Sequence, residues 1–456
     1  MDFALLRPIA MRVLLISANR EQLPSPVVPL GLLYVAAAIR DRHAVALLDL
    51  CFEVDVAGAI ARAVAEHQPE VVGLSLRNLH SNAYDGSERL LAEYETVVRA
   101  IRAATSAPLV LGGTAFSLQP ERLMTLLGAD HGVVGEGESA FGALLDAMAA
   151  GEPAPRLLRA AAVAPRDSLT TLARKPAAGE LDRLAAPARD LIDPRYYVSE
   201  GTENVQTKRG CAFLCSYCDY PDLEGRRVRV RDPERIADEM AARAKVPGVS
   251  HVFIVDSVFN VPRSHALATC DALIARGAPI PWVCYASPVN LDEELARRMA
   301  QAGCVGAEIG TDAGTDAMLA RLAKPFRLAE VRRTRAAFLA AGIADCHTFV
   351  LGAEGETAEE AAETLRFVDE LDPDVAVFIV FLEDRETMQP HRARHRDDLL
   401  ALLRAEAPKR PGWVVPELGI RFGEKLTRFV RRSGLRGPSW LHLARQRRAA
   451  LVAGAG

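Results

Sequence analysis

Twice along this chain, short apolar runs alternate with longer helix-forming segments, and that alternation limits the fold more than any other feature. The first series has strand-like runs at Arg12-Val13-Leu14-Leu15-Ile16-Ser17, 44–49, 71–76, 109–113 and 132–135. Helical segments at 30–40, 56–67, 87–104, 119–127 and 138–149 lie between and after them. Strict β/α alternation predicts an open, doubly wound parallel sheet of Rossmann-like type. Ligands of such sheets bind beyond the carboxyl ends of the strands. Those ends are Ser17-Ala18-Asn19, Ser75-Leu76-Arg77-Asn78, Gly112-Gly113-Thr114 and Gly135-Glu136-Gly137-Glu138. Small residues at several ends would let a flat, bulky ligand approach the backbone. For any one end alone, an ordinary turn glycine is the alternative.

The second series starts at Asn204. Its strands are expected from Asn204 and at 252–256, 282–286, 306–310, 346–351 and 375–382. Helices are expected at 232–244, 263–275, 292–301, 315–322, 328–341 and 357–370. Six strands with crossover helices predict a partial (β/α)6 barrel, whose chemistry belongs at the strand C-termini. The polar residues there are Asp256, Asn260, Tyr285, Ser287, Glu308, Thr311, Asp312, Glu354, Glu356 and Glu383. Tyr285, Glu308 and Glu354 are candidate general bases by position. The expected domains are therefore 1–150, a linker at 151–203, a barrel at 204–385 and a basic helical region at 386–456.

Immediately after the first barrel strand comes Thr207-Lys208-Arg209-Gly210-Cys211-Ala212-Phe213-Leu214-Cys215-Ser216-Tyr217-Cys218. Three thiolates at C-x3-C-x2-C spacing can hold three irons of a [4Fe–4S] cube and leave the fourth open to an outside ligand. A structural zinc site would want a fourth Cys or His at a regular offset. None follows Cys218 for about 30 residues. The other cysteines, Cys51, Cys270, Cys284, Cys304 and Cys346, are single and lie in apolar surroundings.

With 456 residues, half of them hydrophobic and a quarter charged, the chain can bury sizeable cores in two or three domains. Its net charge of −4 implies no general attraction to nucleic acid or membrane. The first ten residues read as an extension rather than a secretory signal, because Arg7 interrupts them. The apolar run 375–382 is too short to span a bilayer. A cytoplasmic location is expected, since a tight thiol motif suits a reducing compartment. Residues 385–456 hold 16 Lys/Arg against 6 Asp/Glu. That excess would make either a basic surface for a partner or, as the favoured reading, a solvated helical tail packed on the barrel.

The cysteine loop, with Tyr217 before its last cysteine, resembles that of the radical S-adenosylmethionine (SAM) enzymes. The N-terminal unit, with Pro29-Leu30-Gly31-Leu32-Leu33-Tyr34, Gly112-Gly113 and Gly135-Glu136-Gly137-Glu138, resembles the cobalamin-binding domain that precedes many of them. Lys208-Arg209-Gly210-Cys211 and Val255-Asp256-Ser257-Val258-Phe259-Asn260 look most like the branch that contains tryptophan C-methyltransferase. The resemblance implies three cofactors: a [4Fe–4S] cluster on Cys211, Cys215 and Cys218, SAM, and cobalamin. SAM would meet Asp256 through its amino group, Glu308 and Ser287 at its ribose or methionyl end, and 351–356 beside adenine. Cobalamin would lie against Asn19, Ser75, Arg77, Gly112, Gly113, Gly135, Glu136 and Gly137. The stretch 17–31 holds no histidine, so the D-x-H-x-x-G pattern that ligates cobalt elsewhere is missing. Arg77 is similar to an arginine placed under the cobalt in that branch; a salt-bridging arginine is the alternative.

The implied activity is transfer of a methyl from SAM via methylcobalamin to a carbon of a small-molecule substrate. That substrate would be natural-product or amino-acid derived, and a flavodoxin- or ferredoxin-type protein would donate electrons. The rival is a radical enzyme of the same domain pair performing a rearrangement, oxidation or cyclisation. RNA modification is a poorer fit, because methylthiotransferase-like enzymes carry further cluster cysteines near the N-terminus and only Cys51 lies there. No nucleic-acid or membrane partner is expected.

Overall fold

The computed structural model describes residues 11–80, 88–160, 177–199, 201–380 and 389–454. The N-terminal sheet is wholly parallel and has six strands: β1 Arg12–Ser17, β2 Ala44–Asp49, β3 Val71–Ser75, β4 Leu109–Gly112, β5 His131–Val134 and β6 Leu157–Arg159. β6 falls in the stretch read as linker. The order is β2-β1-β3-β4-β5-β6, so the winding reverses between β1 and β3. That reversal opens a crevice above Ser17 and Ser75, where doubly wound sheets take their ligands. Side chains alternate across the sheet. Val13 and Leu15 pack with Leu32, Ala36, Phe141 and Leu144 on one face. Leu14 and Ile16 pack with Tyr94, Ile101, Phe116 and Leu123 on the other. Burial on both faces is why these strands read as unbroken apolar runs.

A small sheet lies between the two large ones. β7 Ala177–Ala178 pairs parallel with β10 Arg229–Val230, which pairs antiparallel with β9 Lys208–Arg209. Two-residue strands carry no periodic signal, and sequence reasoning placed none of them.

The second large sheet contains β8 Thr202–Val205, β11 His251–Ile254, β12 Trp282–Ala286, β13 Cys304–Asp312, β14 Ala344–Leu351, β15 Val375–Val380 and β16 Trp413–Val414. All neighbours are parallel, in that order. The expected six strands are thus joined by a short seventh, drawn from the region read as purely helical. β8 and β16 do not pair with each other, so the barrel is open along one side. Helices Pro233–Arg243, Glu293–Gln301 and Ala358–Leu371 start at Asp232, Asp292 and Thr357, whose side chains accept backbone N–H bonds at the helix N-terminus.

The C-terminal region forms helices Pro390–Glu406, Glu424–Arg432 and Ser439–Gly454. The last one closes the barrel at the strands' N-terminal end. Its Leu441 and Ala444 pack with Val283, Cys346, Val375 and Val414. Arg448 pairs with Asp374 at 2.6 Å and donates to the Ile343 carbonyl at 2.7 Å. Part of the basic excess therefore satisfies strand and helix ends. No helix among the described residues is long and apolar enough to cross a membrane.

Candidate active site

One cavity of about 990 Å³ runs from the β1/β3 crevice into the barrel. That is at the upper end for a single small-molecule pocket, large enough for more than one ligand. On the N-terminal side it is lined by Asn19, Ser75, Arg77, Gly112, Gly113, Gly135, Glu136 and Gly137. All eight residues assigned from the sequence to the cobalamin side therefore meet on one wall. Gly113 has φ +93°, and a Cβ there would stand 2.5 Å from the Leu76 carbonyl oxygen. Only glycine permits that turn, which keeps the floor flat. The Asn19 side-chain NH2 is buried without a partner and belongs to the cavity wall. Such a donor is costly to bury unless a ligand takes the bond. Arg77 reaches the Asn78 side chain at 3.4 Å, and no carboxylate pairs with it among the described residues. Among the described cavity-lining residues the only histidine is His442, from the C-terminal helix.

Inside the barrel the strand register sets a row of reactive groups. Tyr285 on β12 lies opposite Glu308 on β13, which lies opposite Cys346 on β14, and all three line the cavity. Tyr285 is 40 % exposed, yet that exposure is to the cavity, where its ring packs 5.0 Å from Phe253. Burial pushes the Glu308 carboxyl up to about 7, and a hydrogen bond from Trp440 partly offsets this. The Glu308 charge in turn raises the Tyr285 hydroxyl, and burial adds to the effect. Trp440 Nε1 donates to Glu308 Oε1 at 2.7 Å. Its ring covers Gly306, where a Cβ would lie 2.5 Å from Trp440 Cη2. Glu308 and Gly306 are two apart on one strand and so share the inward face.

Three sequence-derived candidates stand elsewhere. Asp256 is buried outside the cavity lining. It accepts from Thr207 N at 2.7 Å and Lys208 N at 3.2 Å, bonds the Thr207 hydroxyl, and lies 3.7 Å from Lys208 Nζ. It ties the cysteine loop to the second barrel strand. Ser287 is buried too, bracketed by Asn260, whose side chain bonds both Ser287 N (2.8 Å) and Ser287 O (2.9 Å). Glu354 is exposed and is not part of the cavity wall. Its neighbour Glu356 is buried, folds back to the Gly352 N–H, and is pushed up to about 7 by burial. Glu383 lies outside the described residues.

The cysteine loop lies beside this cavity. Gly210 has φ +94°, and a Cβ there would stand 2.4 Å from the Arg227 carbonyl oxygen. Cys211, Cys215 and Cys218 are free thiols, each half-buried. Burial, and then the charges of the other two thiols, push Cys211 up to about 11. Burial likewise raises Cys215 and Cys218. Thiols so placed ionise when a metal supplies the compensating charge. No three His, Cys, Asp or Glu side chains among the described residues close around a single ion. Three free thiols on one short loop are the donor set that a [4Fe–4S] cube takes while leaving one iron open.

Sequence reasoning missed Glu224. It lines the cavity and accepts from Gly210 N (3.0 Å), Gln206 Nε2 (3.2 Å) and Ser257 Oγ (3.3 Å). It also missed the ion pairs that join the halves. Glu136 meets Arg229 at 2.9 Å and Arg209 at 3.4 Å, while Glu138 meets Arg209 at 2.7 Å. Nor did periodicity predict that Leu426, Phe429, Val430 and Leu435 of the C-terminal region line the cavity on the barrel's open side.

Comparison with known proteins assigns the two halves separately. Residues 16–145 match the B12 binding domain and residues 205–368 the radical SAM superfamily. An uncharacterized methyltransferase of Pyrococcus horikoshii is 26 % identical over 381 residues, covering 81 % of this chain and 80 % of that protein. Tryptophan 2-C-methyltransferase of Streptomyces laurentii is 27 % identical over 431 residues, covering 79 % of this chain and 71 % of that protein. The fold is that of TsrM from Kitasatospora setae, a radical SAM methyltransferase solved with cobalamin and a [4Fe-4S] cluster. The two share 22 % identity with a TM-score of 0.77, covering 96 % of this chain and 99 % of that one.

Proposed function

We propose, for a chain that belongs to the radical SAM enzymes with a B12 binding domain, that it moves a methyl group from SAM to a carbon of a small-molecule substrate, with cobalamin as carrier. The observation that carries this reading is the single cavity shared by the β1/β3 crevice and the barrel interior. When bound, the cluster supplies an electron and an open iron for SAM, and cobalamin supplies a carrier for the methyl group.

The chain's own residues would hold these partners in line. Asn19 and the glycine floor at 112, 113, 135 and 137 would seat the flat macrocycle. Arg77 would put a cation beneath it where other proteins put histidine. Glu224, bonded by the Ser257 hydroxyl, would face the SAM side in place of Asp256, which is consumed by the Thr207 and Lys208 bonds. Glu308 would take up a proton from the substrate, with Tyr285 beside it and Trp440 fixing one of its oxygens. Phe253, Val377, Ile379 and Phe429 would exclude water. Such walls suit a substrate with an apolar body and one hydrogen-bond donor for Glu308. A flavodoxin- or ferredoxin-type donor would reduce the cluster.

The test is anaerobic loading with iron, sulfide and hydroxocobalamin, followed by turnover with SAM and candidate substrates. S-adenosylhomocysteine is expected to form in step with a methylated product. Turnover that yields 5′-deoxyadenosine without S-adenosylhomocysteine would reject methyl transfer. Cys215→Ala is expected to take up cobalamin but no cluster, read as lost iron and lost visible absorbance.

A further inference from the structure

Beside the cysteine loop, on the side held by β13, a lysine and an aspartate are both withdrawn from solvent. Lys324 and Asp312 form an ion pair with side-chain exposures of 7 % and 3 %. The Tyr217 hydroxyl, between the second and third cysteines, donates to Asp312 Oδ2. Lys324 Nζ lies 3.4 Å from that same hydroxyl and 5.5 Å from the centre of the Tyr217 ring. Burial raises the Cys215 thiol, and the nearby Lys324 charge works against that rise. The Leu322 carbonyl, two residues earlier, accepts from Ser216 N at 3.0 Å. One short segment thus grips the loop by backbone and side chain between two of its three cysteines.

The local backbone is built to present Asp312. The β13–β14 register slips between Gly310 and Asp312, and Asp312 has φ +67°. A non-glycine residue in that region is uncommon, and a bulge at a strand end re-aims a side chain. Simple loop anchoring needs neither a buried ammonium nor a buried carboxylate; a neutral hydrogen bond to Tyr217 would serve at lower desolvation cost. The charges therefore call for an electrostatic account.

We propose that the Lys324–Asp312 pair sets the reduction potential of the cluster held by Cys211, Cys215 and Cys218, with Lys324 raising it and Asp312 holding that rise in check. Reduction adds one negative charge to the cluster. A buried ammonium beside the cluster loop stabilises the reduced form, and a carboxylate at the next position destabilises it. Neither residue touches SAM or the reacting carbon on this account; both act by their charge from beside the loop that Tyr217 ties to them. The inference rests on the cluster assignment above.

The test is an EPR-monitored redox titration of the full-length, reconstituted protein, read beside its iron and sulfide content. Lys324→Met is expected to move the midpoint to more negative potential, and Lys324→Arg to hold it near wild type. Asp312→Asn is expected to move it the opposite way, and asparagine tolerates the positive φ. Opposite shifts from the two neutralising changes are what charge produces and what loosened packing does not. Should Lys324→Met fail to take up iron, the direction of the Asp312→Asn shift decides. Unmoved midpoints with full clusters, shifts of the same sign, or loss of the cluster from both lysine variants would overturn the proposal. A wild-type chain that binds no cluster would overturn the cysteine assignment itself, a separate failure.

Discussion

Glu308 is ionised only with difficulty, and that gives it a readable pH signature. Its carboxyl is raised from 4.5 to about 7 by burial, while Trp440 pulls it partly back. If it accepts a substrate proton, it must be ionised, so turnover should rise with pH through about 7. Trp440→Phe keeps the ring and removes the donor. The rising limb should then move to higher pH, checked by a pH–rate profile of the loaded enzyme. Glu308→Gln should cost turnover on the order of 10²–10⁴-fold. The same residue predicts a stability effect of known sign. An acid whose folded value exceeds its unfolded one binds more protons when folded, so stability falls as pH rises from about 4.5 through about 7. Glu308→Gln should therefore stabilise the protein at pH 8, by up to about 3 kcal/mol at about 1.4 kcal/mol per pH unit. It should do little at pH 4; thermal melts at the two values test this.

At the scale of elements, the C-terminal helix Ser439–Gly454 is part of the barrel rather than an appendage. Trp440 lies on Gly306, Leu441 fills the bore, and Arg448 ties to Asp374. Gly306→Ala would put a methyl 2.5 Å from the indole. An overpacked core contact of this kind costs typically about 1–3 kcal/mol. The expected outcome is a lower denaturation midpoint together with faster proteolytic release of the C-terminal helix. Helix Glu424–Arg432 has a related role on the open side of the barrel. Phe429 is 64 % exposed overall and still belongs to the cavity wall, and Arg431 reaches the Gln22 carbonyl of the N-terminal domain. It bridges the two halves at the mouth.

For the whole molecule, the relation between the two halves is fixed by buried charge. Glu136 and Glu138 stand just past the end of β5, on the cavity wall; Arg209 and Arg229 stand on β9 and β10, beside the cysteine loop. The Arg209 guanidinium also covers the Tyr34 ring at 5.1 Å. Removing Arg229 leaves Glu136 with Arg209 alone, so the loss should fall below the about 3–5 kcal/mol of a fully buried pair stripped of its one partner. Arg229→Met should therefore weaken hydroxocobalamin binding and lower the melting temperature. Glu136→Arg with Arg229→Glu should restore part of both, measured by absorbance titration and by melting. Equal binding by Arg229→Met and wild type would show that the clasp does not support the proposed cobalamin site.

The sequence by itself determined the two β/α series, the strand ends and the three thiols. Each is a local signal: buried parallel strands must be apolar throughout, helices must be periodic, and a cluster loop must space its ligands within a few residues. It also put Tyr285 and Glu308 side by side on neighbouring strands of one barrel, although Glu308 lies mid-strand within the bore and not at the rim. The tertiary structure alone decided which rim residues are free to act. Asp256 and Asn260 have the right position, but their polar atoms are spent on Thr207, Lys208 and Ser287. Glu354 and Glu356 are two apart, and turning of the chain exposes one and buries the other. Trp440 meets Glu308 across 132 residues, and Lys324 meets Tyr217 across 107. Contacts at such separations leave no trace in periodicity or spacing, because packing and charge compensation are settled only when distant elements close on one another.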